Sequence, residues 1–353
     1  MRITTIDRYF VTLPFVQPIV TSYGALTHKM ADIIVIRDDF GNVGYGELTA
    51  LEYPDYIEET LSGERLISEQ CLIPLLRDRD INHPIEVKTL FSKIKGHNMA
   101  KSSLETAVWD LYAKQQKSSL SSLIGGTRTR ALAGVSLGMM YEQSELVNRV
   151  SEYVEQGYQR VKLKVSPDWD VTPVTWIREA FPELPLIVDA NSSYTWAQKG
   201  QLQTLDELGI VMLEQPFNTY DFLEHAKLQK LLNTRVCLDE NIRRLDDCRL
   251  AEHLGSCRSI NLKIPRVGGL TEALDILKFC REHDISVWLG GMYETGIGRA
   301  LNVQFSAMSA LKFPGDLAAS SHYFKEDVIQ EQFTVDNGSI EIPRGYGIGV
   351  SLK

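Results

Sequence analysis

Arg160-Val161-Lys162-Leu163-Lys164-Val165 is the first rung of a ladder that decides the fold of this 353-residue chain. Val188-Asp189-Ala190-Asn191, Leu213-Glu214-Gln215-Pro216, Cys237-Leu238-Asp239-Glu240 and Ile260-Asn261-Leu262-Lys263-Ile264 are the other four. Each is a short apolar strand pattern closed by an ionisable residue. Lys164, Asp189, Glu214, Asp239 and Lys263 lie 25, 25, 25 and 24 residues apart. One parallel strand with its crossover helix takes about that length, so each of the five closes one βα unit.

Outward from the ladder the same alternation continues. Further strands are expected to end near Ser136, Gly290 and, more weakly, Asp316. The segments between are amphipathic; Leu270, Ala273, Leu274, Leu277 and Cys280 share one helical face. Alternating strands and helices predict a parallel sheet, and eight strands predict closure into a barrel over residues 128–319. Before it, Ile33-Ile34-Val35-Ile36 and Val43-Gly44-Tyr45-Gly46 flank turn residues and read as a hairpin. Leu104, Ala107, Val108, Leu111 and Tyr112 then mark a helix face. The expected class is α/β, with residues 1–127 as an α+β capping domain. A tail hairpin over Phe333–Ile342 is expected to return to that domain, which 320–353 would complete.

Bulk properties exclude several functions. A net charge of −9 and the lack of a Lys/Arg run argue against a nucleic-acid surface. Five cysteines without C-x-x-C spacing read as reduced thiols, not as a disulfide framework or zinc site. Asp7 falls where a signal peptide needs apolar residues, and no apolar run reaches the ~18 residues of a membrane span. A cytoplasmic enzyme is expected, with no nucleic-acid or membrane partner.

Barrel enzymes build their sites at the C-terminal ends of the strands, so the ladder residues are predicted to converge there. An acidic residue after a strand often only caps the next helix. Three in succession at equal spacing argue for more. Asp189, Glu214 and Asp239, brought together, repel one another and lose hydration, and a divalent cation offsets both costs. Oxygen ligands suit a hard ion, Mg²⁺ first and Mn²⁺ second. Strand alternation puts Lys162 and Lys164 on one face, pointing inward. A metal between lysines suits proton abstraction beside a carboxylate, with the charge of the enolate stabilised as it develops. A lysine base needs its pKa brought down to ~7–8, and nearby cations such as Lys162 and Arg266 are available for that.

These motifs resemble those of the enolase superfamily, in its muconate-lactonizing subgroup, over essentially the whole chain. Trp288-Leu289-Gly290-Gly291-Met292-Tyr293-Glu294-Thr295-Gly296 and Lys95-Gly96-His97-Asn98-Met99-Ala100-Lys101 narrow the likeness to o-succinylbenzoate synthases of the type that also racemise N-acylamino acids. The resemblance implies a modified TIM barrel of seven helices and eight strands, with Mg²⁺ on Asp189, Glu214 and Asp239. It implies Lys164 as the base that takes the α-proton and then protonates the departing hydroxyl. Lys263 would stabilise the enolate from the opposite face, and in racemisation the two would exchange roles. Lys162 would neutralise a small carboxylate substrate, and Gly291 and Met292 would contact its far carboxylate through backbone groups. Ser136 and Asn191 would line the site, Tyr23, Tyr53 and Tyr56 would close over it, and Glu240 and Arg266 would support the ligands and tune their charge. A homo-oligomer is also implied.

Two enzyme alternatives share parts of this pattern. An N-acylamino acid racemase needs the same acid–base set. A dipeptide epimerase needs a second aspartate in the segment Pro314-Gly315-Asp316-Leu317-Ala318, which has one. A histidine-ligated barrel hydrolase lacks its ligands, because none of the seven histidines ends a strand. A binding protein has no need of two opposed lysines.

Overall fold

A computed structural model of the chain describes every residue except Ser22 and Tyr23. The expectation for Tyr23 therefore lies outside the described residues. Strands β1 (Ile3–Thr21), β2 (Gly24–Asp38) and β3 (Val43–Leu48) form an antiparallel sheet in that order. The expected hairpin joins β2 to β3, with Arg37 opposite Val43. Asp38 closes its turn by accepting the N–H groups of Phe40 and Asn42 at 3.0 and 2.8 Å.

The long cap helix, Asn98–Gln115, packs across this sheet. Leu104, Ala107, Val108 and Leu111 are buried against Ile34 and Ile36. Two strand glycines allow the close approach: a Cβ on Gly46 would lie 2.0 Å from the Ser103 carbonyl oxygen, and one on Gly44 2.2 Å from that of Ala107. Backbone cannot yield as a flexible side chain can. Gly46→Ala is therefore expected to destabilise by about 2 kcal/mol or more, seen as a lower urea midpoint at unchanged slope. An unchanged midpoint would contradict this packing.

The barrel comprises β4 (Arg130–Leu137), β5 (Val161–Lys164), β6 (Leu186–Asp189), β7 (Met212–Glu214), β8 (Arg235–Leu238), β9 (Ser259–Leu262), β10 (Ser286–Leu289) and β11 (Gly315–Asp316). They pair in parallel in the ring order β11-β4-β5-β6-β7-β8-β9-β10. A parallel bridge between Val287 and Leu311 nearly closes it. The crossover helices are 143–155, 171–180, 199–207, 223–231, 245–254, 270–282 and 296–305.

Alternation along each strand sorts the side chains. Val161, Leu163, Val188, Leu213, Val236, Leu238, Ile260, Leu262 and Leu289 face outward into the main core beneath the helices. Ile187, Met212, Cys237 and Trp288 face inward as a separate apolar cluster that floors the barrel. The next inward position on β6, β7 and β8 is Asp189, Glu214 and Asp239, so the ionic layer rests on an apolar plug. Lys164, Asp189 and Glu214 are direct register partners, whereas Glu214 pairs with Cys237. Asp239 lies two residues beyond, the stagger that a tilted barrel requires.

The tail departs from expectation. Asp336 and Ser339 form a tight bridge, but 333–335 is not a strand, and β12 (Ser339–Glu341) pairs antiparallel with β4 of the barrel. Its partners Arg130–Leu132 precede the part of β4 used by β11 and β5, so their backbone groups were free to pair. The tail meets the cap on either side of β12: Tyr323 and Phe324 pack against Phe15 of β1, and further on Leu120 N–H donates to Gly347 O and Ile348 N–H to Asp110. The five cysteines are free thiols. Among the described residues no helix is long and apolar enough to cross a membrane.

Candidate active site

β5 and β9 stand four places apart in a ring of eight, so Lys164 and Lys263 sit at opposite ends of a barrel diameter. The strands between them, β6, β7 and β8, deliver the three carboxylates. All five side chains are buried or nearly so; Asp189, Glu214 and Asp239 are at most 1 % exposed.

Lys164 Nζ donates to Asp189 Oδ2 at 2.6 Å and to the Asn191 side-chain oxygen. Lys263 Nζ donates to Asp239 Oδ2 at 2.6 Å and to Tyr56 OH at 2.8 Å. Lys162 lies 3.1–3.2 Å from Asp189, Glu214 and Asp316. Arg266 bonds Asp239 Oδ1 and, at 2.7 Å, Tyr56 OH. Asn261 donates to Glu214 Oε1 at 2.6 Å.

The electrostatics are those of crowded carboxylates among cations. Burial pushes Glu214 up to about 7, with the Asp189 charge adding to it. Burial, with Asp239 and Asp189, pushes Glu240 up to about 8. Asp239 is held well below the usual carboxylate range: burial opposes this, but Arg266 and Lys263 outweigh it. Burial alone would lower Lys162, but Asp316, Glu214 and Asp189 hold it well above the ordinary lysine range. Lys162 is thus a fixed cation and a poor base.

Among the described residues no three of His, Cys, Asp and Glu form a closed metal cage as they stand. Ammonium nitrogens share the carboxylate oxygens instead. The chemistry of the donor set nevertheless fits a hard divalent ion. Three carboxylates on successive strands, desolvated and crowded together, form an all-oxygen set whose repulsion a double positive charge would relieve. Glu240 Oε2 is buried with no hydrogen-bond partner beside this set.

A cavity of about 40 Å³ lies over the layer, lined by Leu51, Tyr56, Ser136, Lys162, Lys164 and Asn191 on one side. Lys263, Gly291, Met292, Tyr293, Asp316 and Tyr323 complete the lining. It holds a few waters at most. Ser136, Lys164, Tyr293 and Tyr323 also line a groove of about 450 Å³ beneath Val16–Val20 of β1.

The structure thus gathers Ser136, Lys162, Lys164, Asn191, Lys263, Gly291, Met292 and Tyr56 around one cavity. Two placements, those of Tyr53 and Met292, differ from expectation. Tyr53 is 64 % exposed and lines a separate groove with Gly24–Met30, because only Tyr56 of its loop turns inward. The Met292 N–H, expected to be open to a substrate carboxylate, donates to Glu294 Oε1 at 2.7 Å. Lys162 is engaged by the carboxylate layer and by Asp316.

Asp316, marked in the sequence only as a weak strand end, is a site residue that the sequence pattern does not single out. It accepts from Ser136 Oγ at 2.8 Å and from Arg160 Nη2 at 2.8 Å, as well as facing Lys162. Gly134 makes room for Arg160, since a Cβ there would lie 2.5 Å from the guanidinium. Asn261 is a second such residue, though its strand parity with Lys263 signals an inward polar side chain. Glu47 of the cap holds the loop after β10 by accepting from Thr295 N, Thr295 Oγ1 and Gly298 N at 2.7–3.0 Å.

This fold and this site define an enzyme barrel with two opposed lysines and three carboxylates at its mouth. Residues 5–125 match the mandelate racemase / muconate lactonizing enzyme N-terminal domain, and residues 145–353 match the enolase C-terminal domain-like family. The chain belongs to the enolase superfamily. It is 55% identical to o-succinylbenzoate synthase of Enterococcus faecalis, over 100% of this chain and 96% of that protein. It is 37% identical to N-succinylamino acid racemase of Thermus thermophilus, over 100% and 95%. A crystal structure of an enolase-superfamily member from Listeria innocua superposes with TM-score 0.98 at 46% identity, covering 100% of this chain and 95% of that one. Members of the superfamily generally bind Mg²⁺.

Proposed function

We propose that the chain is a cytoplasmic, Mg²⁺-dependent o-succinylbenzoate synthase that also racemises N-acylamino acids. Its first substrate would be 2-succinyl-6-hydroxy-2,4-cyclohexadiene-1-carboxylate, dehydrated in menaquinone synthesis. The observation that carries this reading is the pair Lys164 and Lys263 at opposite ends of one diameter, with three carboxylates on the strands between. The names of the relatives above support it.

Asp189, Glu214 and Asp239 would hold Mg²⁺, which supplies positive charge to the substrate carboxylate as its α-carbon loses a proton. Lys164, unprotonated, takes that proton, and the C–H electrons pass into an enolate. Lys263, protonated, faces the other side and stabilises the charge. In dehydration Lys164 returns its proton to the departing hydroxyl, the C–O bond breaks, and water leaves from the same face. In racemisation Lys263 delivers a proton to the opposite face, and the reverse direction exchanges the two roles. Lys162 keeps its charge throughout and balances the carboxylate layer. The groove beyond Ser136 and Tyr323 would take the part of the substrate that the small cavity cannot hold.

Purified protein with Mg²⁺ is expected to turn over both the cyclohexadiene and an N-succinylamino acid. Turnover of the second alone would make racemisation the activity of this chain, and turnover of neither would end the proposal.

A further inference from the structure

The motif Lys95–Lys101 lies outside the catalytic cavity, yet the helix it opens grips the segment that carries Lys263. Asn98, the first residue of the cap helix, donates its side-chain amide to two barrel carbonyls, Arg266 O at 2.9 Å and Arg243 O at 3.0 Å. Glu105 stands seven residues later, about two turns on and so on the same helix face. Its carboxylate accepts Leu270 N–H at 2.7 Å and Thr271 N–H at 3.0 Å, capping the barrel helix 270–282. Trp109 Nε1 donates to it at 2.8 Å and fixes its orientation.

Lys263 immediately precedes the short turn Ile264–Val267. The cap helix grips the backbone at Arg266 within that turn and at Leu270 and Thr271 just beyond it. The connection through Gly268 and Gly269 takes positive φ of +94° and +130°. A Cβ on Gly269 would lie 2.4 Å from Glu105 Oε2, so the contact needs glycine there. The loop above is tied to the same helix end: Glu59 accepts the N–H groups of Asn98 and Met99 at 2.7 Å each, three residues after Tyr56, which bonds Lys263. Lys164 is held differently, by Asp189 and Asn191 of the barrel.

We infer that Asn98 and Glu105 of the capping domain are positioning residues for Lys263, so that the cap sets the geometry of one face of the reaction. The inference rests on the two-lysine reading above. A base displaced by a fraction of an ångström to an ångström loses up to about a hundredfold in rate. A loosened grip on 263–271 would therefore slow proton transfer on the Lys263 face and spare the Lys164 face. A merely structural role would affect both faces alike.

The test is α-proton exchange in deuterium oxide, measured separately for each enantiomer of an N-succinylamino acid in Mg²⁺-loaded protein. Lys263→Ala identifies the enantiomer whose proton Lys263 takes. Asn98→Ala is expected to slow exchange of that enantiomer about tenfold more than the other. Glu105→Gln, which keeps one acceptor oxygen, should shift the ratio the same way by less. Equal slowing of both enantiomers, or no slowing of either, in folded variants would overturn the inference. Wild-type protein that exchanges neither enantiomer would remove the two-lysine reading and this inference with it.

Discussion

Lys164→Ala is expected to abolish dehydration and racemisation together, by at least about a thousandfold, the upper part of the range for a positioned general base. Both reactions begin or end at this nitrogen, and no neighbour can substitute. Lys162 shares its strand face, but three carboxylates hold its proton. Asn191 has no proton-accepting nitrogen. The fold should survive, because the variant removes a stem at the edge of the cavity and leaves the apolar floor intact. Steady-state assays with both substrates, beside a thermal melt, check this; turnover within tenfold of wild type would remove Lys164 from the mechanism.

The second large effect concerns the carboxylate layer. Glu214→Gln keeps an acceptor for Asn261 and nearly the same volume but removes the central charge of the three. Mg²⁺ at about a hundredfold over its Kd is expected to stabilise the wild type by about 2.7 kcal/mol. The variant should lose most of that shift and at least about a hundredfold in turnover. The melting shift reads binding without reference to activity. An equal Mg²⁺-dependent shift in both proteins would place the ion elsewhere.

The ladder was legible because a βα unit has a characteristic length and barrel strands converge at one end. Spacing along the chain therefore translated into neighbours in space. Strand parity separated Lys162 and Lys164 from Val161 and Leu163, and the structure has them on opposite faces. Asp316 was harder to find, since β11 is two residues long and starts directly after Pro314, leaving no period to read. Tyr53 and Tyr56 belong to one loop, and only tertiary packing decides which ring turns toward Lys263. The tail misled for a related reason. Asp336-Asn337-Gly338 signals a local turn, but the unpaired start of β4 offered β12 a better partner than its own neighbour. The Met292 N–H was claimed by Glu294, two residues away, a local bond that no spacing rule anticipates.

The central claim is that two lysines serve opposite faces of one carbon. It is tested most directly by enantiomer-resolved α-proton exchange in deuterium oxide, comparing Lys164→Ala with Lys263→Ala. Each variant should lose exchange of one enantiomer and keep measurable exchange of the other, with the preference reversed between them. Loss of the same enantiomer in both, or equal loss of both enantiomers in each, would contradict it.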